Sequence, residues 1–209
     1  MSTDALELVL EHAREGAELR ERFFRENART VAAIGRTLAL CLAKGGKILF
    51  CGNGGSAADA QHLAAEFVNR FQLERPPLPA IALTTDTSIL TAIGNDYGFD
   101  QVFVKQVQAL GRAGDVLVGI STSGNSPNVV AAMRLAREKG LTTVGMTGKN
   151  GEIVQFSDMA ILVPHTVTAL IQEIHIACGH LMCKLADHYL FEAVVELKPY
   201  LDEPDTPGI

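Results

Sequence analysis

A histidine and a glutamate, His62 and Glu66, stand four residues apart just after a glycine-rich turn at residues 51–56 (Cys-Gly-Asn-Gly-Gly-Ser). In a helix this spacing places both side chains on one face. Glycines let the backbone approach a ligand closely, and free N–H groups at a helix start favour an anion such as phosphate. The pattern indicates a phosphosugar site in which His62 and Glu66 supply a base or two metal ligands. The alternative is an ordinary strand-to-helix turn with two surface side chains.

The helix after this turn is expected to begin with Ser56 as its N-cap. Serine is a favoured capping residue, and Asp59 would then be an acidic residue in the first turn. The short apolar segment 47–50 before the turn is expected to be a strand.

A second polar loop, residues 121–127, also follows an apolar segment and precedes a helical pattern. Pro127 suits the first turn of that helix. The loop is rich in hydroxyl groups, which belong to Ser121, Thr122, Ser123 and Ser126. Ligands bind outside the carboxyl ends of parallel strands, so two such loops at one edge favour phosphate binding more than either loop alone.

The segments that must position these loops alternate between apolar strands and amphipathic helices. Strands are expected at 47–50, 80–83, 115–120, 142–147 and 159–163. This alternation predicts an α/β fold, a doubly wound five-stranded parallel sheet flanked by helices. Residues 94–98 read as a loop, and a long helix is expected from about residue 168 to 193.

Two extra N-terminal helices are expected before the first strand, within residues 4–44 and with a break near Asn27. Their apolar stripes could pack against another subunit, which predicts a homotetramer, or could cover a sheet face of their own chain. We expect one domain over residues 1–195, including this extension of about 1–44, and a tail at 196–209 that is frayed from residue 203.

Composition excludes several classes of protein. Of the 209 residues, 47% are hydrophobic, and the formal net charge of −6 comes without a run of lysine or arginine, so no nucleic-acid partner is expected. No apolar stretch is long enough for a membrane, and the first residues lack a signal-peptide pattern, so we expect a cytoplasmic protein. The four cysteines form no CxxC pattern and are expected to be buried free thiols.

The motifs together resemble the sugar isomerase (SIS) fold and, more closely, the bacterial phosphoheptose isomerases. The resemblance runs from about Ala28 to His188. It is carried by the segments 51–56, 59–62, 94–96, 119–126 and 171–175, together with Glu66 and His180. It implies conversion of D-sedoheptulose 7-phosphate to D-glycero-D-manno-heptose 7-phosphate, the first step towards the ADP- or GDP-heptose precursors of lipopolysaccharide.

The resemblance also implies a role for each site residue. Substrate contacts are implied for Asn53, Gly54, Gly55, Ser56, Glu66, Asn95, Asp96 and Gln172, and phosphate contacts for Ser121, Thr122, Ser123 and Ser126. One zinc ion per subunit would be bound by His62, Glu66, Gln172 and His180. Glu66 and His180 would also be the acid and base, and the site would form between subunits of a tetramer.

This chemistry has a physical basis and one unresolved conflict. Moving a carbonyl between neighbouring carbons needs a base for the proton and positive charge near the enediolate oxygens. A glutamate that is tightly bound to zinc is not a free base, so either the metal moves or the base is a group other than Glu66. His175 is interpreted as a helix histidine outside the ligand set. Ala169 and Leu170 depart from the polar or arginine residues of the family, which leaves the substrate contact at this corner open.

Two other functions compete with an isomerase. SIS-fold adaptors that bind the replication initiator protein also resemble this chain, but they can lose the catalytic glutamate and the last histidine. This chain retains Glu66 and His180, which favours the enzyme. A sugar-phosphate-sensing regulator would need a DNA-binding segment, and none is recognisable.

Overall fold

A computed structural model describes residues 4–201 and has one parallel sheet of five strands with helices on both faces. The strands are β1 (Ile48–Gly52), β2 (Ala80–Ala82), β3 (Val116–Ile120), β4 (Thr142–Thr147) and β5 (Met159–Leu162), in the order β2-β1-β3-β4-β5. The helices are α1 (Ala5–Ala43), α2 (Gly55–Val68), α3 (Thr87–Tyr97), α4 (Val102–Leu110), α5 (Pro127–Glu138), α6 (Thr168–Asp187) and α7 (Lys198–Leu201). The predicted α/β fold with a five-stranded parallel sheet is confirmed.

The strand order reverses between β1 and β3, which places the two predicted loops side by side. The chain leaves β1 through α2 towards β2, and it leaves β3 through α5 towards β4. Because the crossovers are right-handed, α2 and α5 cover opposite faces of the sheet. The register pairs Cys51 with Gly119 and Gly52 with Ile120, so both strands end at the same level. A crevice at such a switch point is the usual ligand site of open α/β sheets.

The sheet has a separate apolar core on each face. One core contains residues of α1, α2 and α6, including Phe67 and Ile174, which pack with Phe50 of β1. The other contains residues of α4 and α5, including Val107 and Met133. Because β1 and β3 are fully buried, continuous apolar runs rather than alternating ones form these strands.

The N-terminal region is one helix of 39 residues, so the expected break near Asn27 is wrong. Asn27 sits inside the helix because its side-chain amide donates to the carbonyl of Phe23 one turn earlier, 2.9 Å away. The second half of α1 packs closely on α6; a Cβ at Gly35 would lie 2.5 Å from Cβ of Leu185. The first half leaves Leu6, Val9 and Leu10 exposed.

Residues 94–97 belong to α3, so the expected loop at 94–98 is also wrong. Asp86 caps this helix by accepting from the backbone N–H of Ile89 at 2.9 Å, and the helix ends only at Gly98, whose φ is +88°. The cap and the glycine stop outweigh the turn propensity of Gly94 and its neighbours. None of the α3 residues is buried.

The chain continues beyond α6 as a π-helical turn, His188–Glu192, and a 3₁₀ turn, Val194–Glu196. Leu197 is buried against Ala39 and Tyr189, so structured packing reaches past the expected domain boundary at residue 195. The segment 203–209, expected to be frayed, lies outside the described residues.

Two further expectations concern cysteines and membranes. All four cysteines are free and buried, as expected. Within residues 4–201, no helix combines the length and the apolar character needed to cross a membrane. The cytoplasmic location stays a prediction.

Candidate active site

The glycine-rich turn follows β1 and begins α2, but its cap differs from the expected one. Gly54 is the N-cap residue, with φ +56°, and Ser56 is a buried residue of the first turn. The predicted N-cap role of Ser56 and first-turn position of Asp59 are therefore wrong. The helix starts at Gly55, and its first turn packs closely against the end of β1: a Cβ at Gly52 would lie 2.7 Å from the carbonyl oxygen of Ser56. Burial raises the pKa of the Asp59 carboxyl, and no residue within 4–201 makes a hydrogen bond with its Oδ2.

A pair of amides joins this turn to the loop after β3. The Asn53 Nδ2 donates to Asn128 Oδ1 at 2.8 Å, and the Asn128 Nδ2 donates back to Asn53 Oδ1 at 2.9 Å. Asn128 also accepts from the backbone N–H of Val129, which holds its amide in place at the start of α5. Asn128 was missed from the sequence, where only its position in the first turn of a helix after the serine-rich loop could have signalled it.

The serine-rich loop gathers three hydroxyl groups at the start of α5. The Ser121 Oγ lies 2.9 Å from Ser126 Oγ and 3.4 Å from Ser123 Oγ. Ser126 is the N-cap residue and makes no side-chain capping bond, and Pro127 follows it. Hydroxyl groups and the helix dipole together make a cradle that suits a phosphate, and the binding of phosphate here stays a prediction. Thr122 is half-buried beside them, and its carbonyl accepts from the N–H of Gly148.

The segment after β4 contacts the serine-rich loop at two residues, Gly124 and Asn125. Gly124 has φ +69°, and a Cβ there would lie 2.5 Å from the carbonyl oxygen of Asn150. The Asn125 Oδ1 accepts from the backbone N–H of Glu152 at 2.9 Å. Only glycine fits this close approach, and together with the Asn125 bond it holds the loop against the segment after β4.

Two imidazoles and one carboxylate meet where α2 contacts α6. The His62 Nε2 lies 2.9 Å from His180 Nε2 and 3.5 Å from Glu66 Oε1. The ring of Phe71 stacks on His180, with 5.4 Å between centroids. Burial and the neighbouring His62 lower the pKa of His180, while Glu66 opposes them, so His180 is neutral at pH 7. The i, i+4 spacing of His62 and Glu66 was the sequence signal for this cluster.

Gln172, on α6, reaches the start of α2 because residue 55 is a glycine. A Cβ at Gly55 would lie 2.4 Å from Gln172 Nε2. Gln172 therefore lies against the glycine-rich turn, and His180 lies two helical turns further along α6 against His62. The structure brings together the predicted residues of the turn, α2 and α6.

Comparisons with known proteins agree with this geometry. A family model described as a SIS domain matches residues 11–148. A phosphoheptose isomerase from Solidesulfovibrio magneticus is 68% identical, over 97% of this chain and 100% of that protein. The chain belongs to the phosphoheptose isomerase family of SIS-domain proteins.

Solved structures of phosphoheptose isomerases have the same fold. One from Neisseria gonorrhoeae has a TM-score of 0.83 at 49% identity, over 88% of this chain and 99% of that chain. One from Francisella tularensis has a TM-score of 0.86 at 36% identity, over 89% and 100%. The resemblance of the motifs to phosphoheptose isomerases is confirmed.

The zinc ligands implied by the phosphoheptose isomerase resemblance have suitable chemistry. Within residues 4–201, no group of three or more His, Cys, Asp or Glu side chains forms a preassembled metal cage. Two ligands of one tetrahedral zinc lie about 3.3 Å apart, given bonds of about 2.0–2.1 Å. The distances of 2.9 Å from His62 to His180 and 3.5 Å from His62 to Glu66 bracket that value. Two imidazoles and a carboxylate thus have the chemistry of zinc ligands, whereas the Gln172 amide lies two helical turns away from His180 along α6, at the glycine-rich turn. The zinc ion stays a prediction.

Asn95 and Asp96 lie apart from these groups. Both are exposed on α3, where the Asn95 amide donates to the Asp96 carboxylate at 2.8 Å. In the part of the chain that the structure describes, neither forms a hydrogen bond with the two loops or the imidazole pair. Their predicted contact with substrate is untested and needs either movement of α3 or a site completed by another subunit.

His175 lies outside the ligand cluster, as interpreted. Its Nε2 donates to the carbonyl of Thr147 at 3.1 Å, and burial lowers its pKa to about 4. Leu170, one of the two departures from the family, is buried, and Ala169 is exposed. Leu170 packs towards Gly16 of α1, which accounts for an apolar residue at this position.

Proposed function

We propose that the protein is an aldose–ketose isomerase that converts D-sedoheptulose 7-phosphate to D-glycero-D-manno-heptose 7-phosphate. One observation carries the proposal: a phosphate cradle and a His–His–Glu cluster are joined through α2 and the Asn53–Asn128 amide pair. The names of the similar proteins support it, and they give no support to the adaptor alternative. The implied place at the start of heptose-precursor synthesis is part of this proposal.

The phosphate would be held by Ser121, Ser123 and Ser126 at the start of α5. These hydroxyl groups donate to phosphate oxygens without a lysine or arginine, which suits a chain with a net charge of −6. Asn53, Gly54 and Gly55 would lie along the sugar, because the amide pair holds their turn beside the cradle. The far end of the sugar, C1 and C2, then extends towards α2 and α6.

The proton moves between C1 and C2 of the sugar. Glu66 would remove a proton from C1 of the ketose and return it to C2, while a proton moves from the C1 hydroxyl to the C2 oxygen, which completes the aldose. His180, neutral at pH 7, can donate its ring N–H to a sugar oxygen as negative charge develops there. Because His62 Nε2 lies only 2.9 Å from His180 Nε2, one of the two nitrogens carries the proton between them.

A zinc ion would be held by His62, Glu66, Gln172 and His180, and when bound it supplies positive charge to oxygens of the substrate. Glu66 then has two competing roles, so either the metal ligation of Glu66 loosens or another group is the base. We keep Glu66 as the base because its carboxylate lies next to the imidazole pair.

A direct test follows the conversion by NMR. Purified protein is incubated with sedoheptulose 7-phosphate, and the anomeric signals of the aldose are expected to appear with time. Protein carrying Glu66→Gln, prepared in the same way, controls for a contaminating isomerase. No aldose from correctly folded wild-type protein, with or without added zinc, would contradict the proposed function.

A further inference from the structure

Arg75 is a buried arginine that the proposed chemistry does not use. Its side chain is 1% exposed and makes hydrogen bonds through all three guanidinium nitrogens. The Nε donates to Asp187 Oδ1 at 2.9 Å, and the Nη2 donates to the carbonyl of Glu66 at 2.9 Å. The Nη1 donates to the carbonyls of Phe67, Asn69 and Pro76 at 2.7, 3.1 and 3.2 Å.

The carbonyls of Glu66, Phe67 and Asn69 belong to the last turn and C-cap of α2. The final carbonyls of a helix have no partner within the helix, and a cation stabilises the negative end of its dipole. The last turn of α2 contains no basic residue. Arg75 therefore supplies the positive charge and the donors that the last turn lacks, and one of its bonds goes to the backbone of Glu66 itself.

Asp187 is the last residue of α6, about two turns beyond His180. The Arg75–Asp187 pair thus connects the C-terminal end of α2 to the C-terminal end of α6. The helix α2 carries His62 and Glu66, and the helix α6 carries Gln172 and His180. The two helices also touch beside the imidazole pair, where a Cβ at Gly179 would lie 2.5 Å from Leu63 Cδ2. The contact at Gly179 and the Arg75–Asp187 pair lie about two turns apart along α6, so together they limit rotation of one helix against the other.

We propose that Arg75 is a positioning residue that sets the orientation of α2 against α6 and thereby places Glu66 and His62 opposite His180. The inference rests on the proposed isomerase function. A buried ion pair is by itself weak evidence for a role in stability, because replacement of such a pair by apolar residues is often neutral or stabilising. The guanidinium fork instead supplies directional bonds that an apolar contact lacks.

The variant Arg75→Lys tests this role. A lysine keeps a positive charge for Asp187, but its single ammonium group has three donors and no fork to serve the carbonyls of α2. A displacement of about 1 Å can lower a rate about 10²-fold, so we expect kcat to fall about 10- to 100-fold. The KM for sedoheptulose 7-phosphate should change by less than about threefold, because the phosphate cradle lies on α5.

Asp187→Asn is the second variant and has nearly the same shape as wild type. It removes the charge that anchors Arg75 to α6 while the guanidinium stays near the α2 carbonyls. We expect a fall in kcat of the same kind, again with KM nearly unchanged. This variant carries the test if Arg75→Lys does not fold.

Lys47→Met is the matched control. It removes the ion pair of Lys47 with Asp115, which lies at the opposite edge of the sheet, before β1 and β3. It should lower the melting temperature and leave kcat within about twofold of wild type per folded protein. If Arg75→Lys and Asp187→Asn also keep kcat within that range, or if their loss appears in KM alone, the positioning role is wrong.

Wild-type protein that fails to convert the sugar would contradict the proposed function and not this inference. Crystal structures of wild-type protein and Arg75→Lys then decide. A larger separation of His62 from His180 in Arg75→Lys supports the positioning role, and an unchanged separation of His62 and His180 overturns it.

Discussion

At the scale of single residues, the proposed site separates groups that would hold phosphate from groups that would move protons. Hydroxyl groups at the start of α5 form the first set, and Glu66, His62 and His180 form the second. The two sets lie on different helices, so substitutions in each should change different kinetic parameters.

Ser123→Ala should weaken substrate binding with little effect on turnover. The substitution removes one hydroxyl from the cradle, and a hydrogen bond to a charged group contributes about 1.5–3 kcal/mol. That loss corresponds to a KM about 10- to 100-fold higher. Steady-state kinetics check the expectation; unchanged affinity with a collapsed kcat would show that Ser123 has another role.

Glu66→Gln should remove nearly all turnover while the phosphosugar still binds. The amide keeps the shape of the side chain but cannot accept the C1 proton, and the loss of a general base lowers rates about 10²- to 10⁴-fold. His180→Gln should also be nearly inactive. Exchange of the substrate C1 proton into deuterated water, followed by NMR, isolates the base step.

The exposed variant Glu21→Gln is the control for this chemistry. Glu21 lies on α1 and is paired with Arg25. The Glu21→Gln variant should exchange the substrate C1 proton at the wild-type rate. If Glu66→Gln also exchanges it at that rate, Glu66 is a metal ligand or a structural residue and the base is a different group.

At the scale of elements, α6 combines three tasks on different faces. It presents Gln172 to the glycine-rich turn, His180 to α2, and His175 to the carbonyl of Thr147 in β4. The packing of α6 against α1 and α2 depends on two glycines. A side chain at Gly35 of α1 would collide with α6, and one at Gly179 of α6 would collide with α2. The catalytic groups are therefore carried by elements that have little freedom to shift.

Gly55→Ala should lower activity without unfolding the protein. The new Cβ would lie 2.4 Å from Gln172 Nε2, and the flexible end of Gln172 can move aside at small cost to stability. Displaced Gln172 would no longer lie at the turn, so kcat/KM should fall. Gly16→Ala is a control within α1, where the new methyl would meet the flexible carboxylate of Glu173 at 3.2 Å. If Gly55→Ala and Gly16→Ala have the same kcat/KM, Gln172 has no role in the site.

His175 should make the protein less stable as the pH falls. Its folded-state pKa of about 4 lies below the unfolded value of 6.5, so the unfolded chain binds the proton first. The free energy of unfolding should therefore decrease from about pH 6.5 down to about pH 4, by roughly 3 kcal/mol in total. Denaturant titrations across this range should show a shallower pH dependence for His175→Gln. Identical slopes would contradict a neutral buried His175.

At the scale of the whole molecule, two helices leave a large part of their surface exposed in a single chain. The first turns of α1 expose Leu6, Val9 and Leu10, and α3 contains no buried residue. Contiguous exposed apolar surface marks interaction sites. We propose that the protein is a homotetramer in which neighbouring subunits cover these surfaces and approach the site.

Light scattering should therefore give the mass of a tetramer at micromolar concentration. Val9→Glu, which places a charge on the exposed stripe of α1, should shift the mass towards smaller species. Arg25→Gln, on the same helix, should leave the mass unchanged. A stable monomer for wild-type protein would contradict the proposed assembly.

Local patterns in the sequence determined the fold class and most candidate residues. Buried parallel strands require continuous apolar runs, and helices require a 3.6-residue period, so both could be recognised from neighbouring residues. The i, i+4 spacing of His62 and Glu66 and the hydroxyl groups of the second loop are local in the same sense. Their chemistry could be predicted before any contact was known.

The tertiary structure decided everything that depends on distant segments meeting. Gly54 rather than Ser56 caps α2, whose first turn packs against the end of β1. Asn27 favours loops in general, but here its side chain forms a hydrogen bond with Phe23 inside the helix α1. Arg75 and Asp187 are 112 positions apart, and no pattern in the chain pairs them. Propensity describes a residue and its neighbours along the chain, whereas these bonds depend on which surfaces are packed together when the sheet forms.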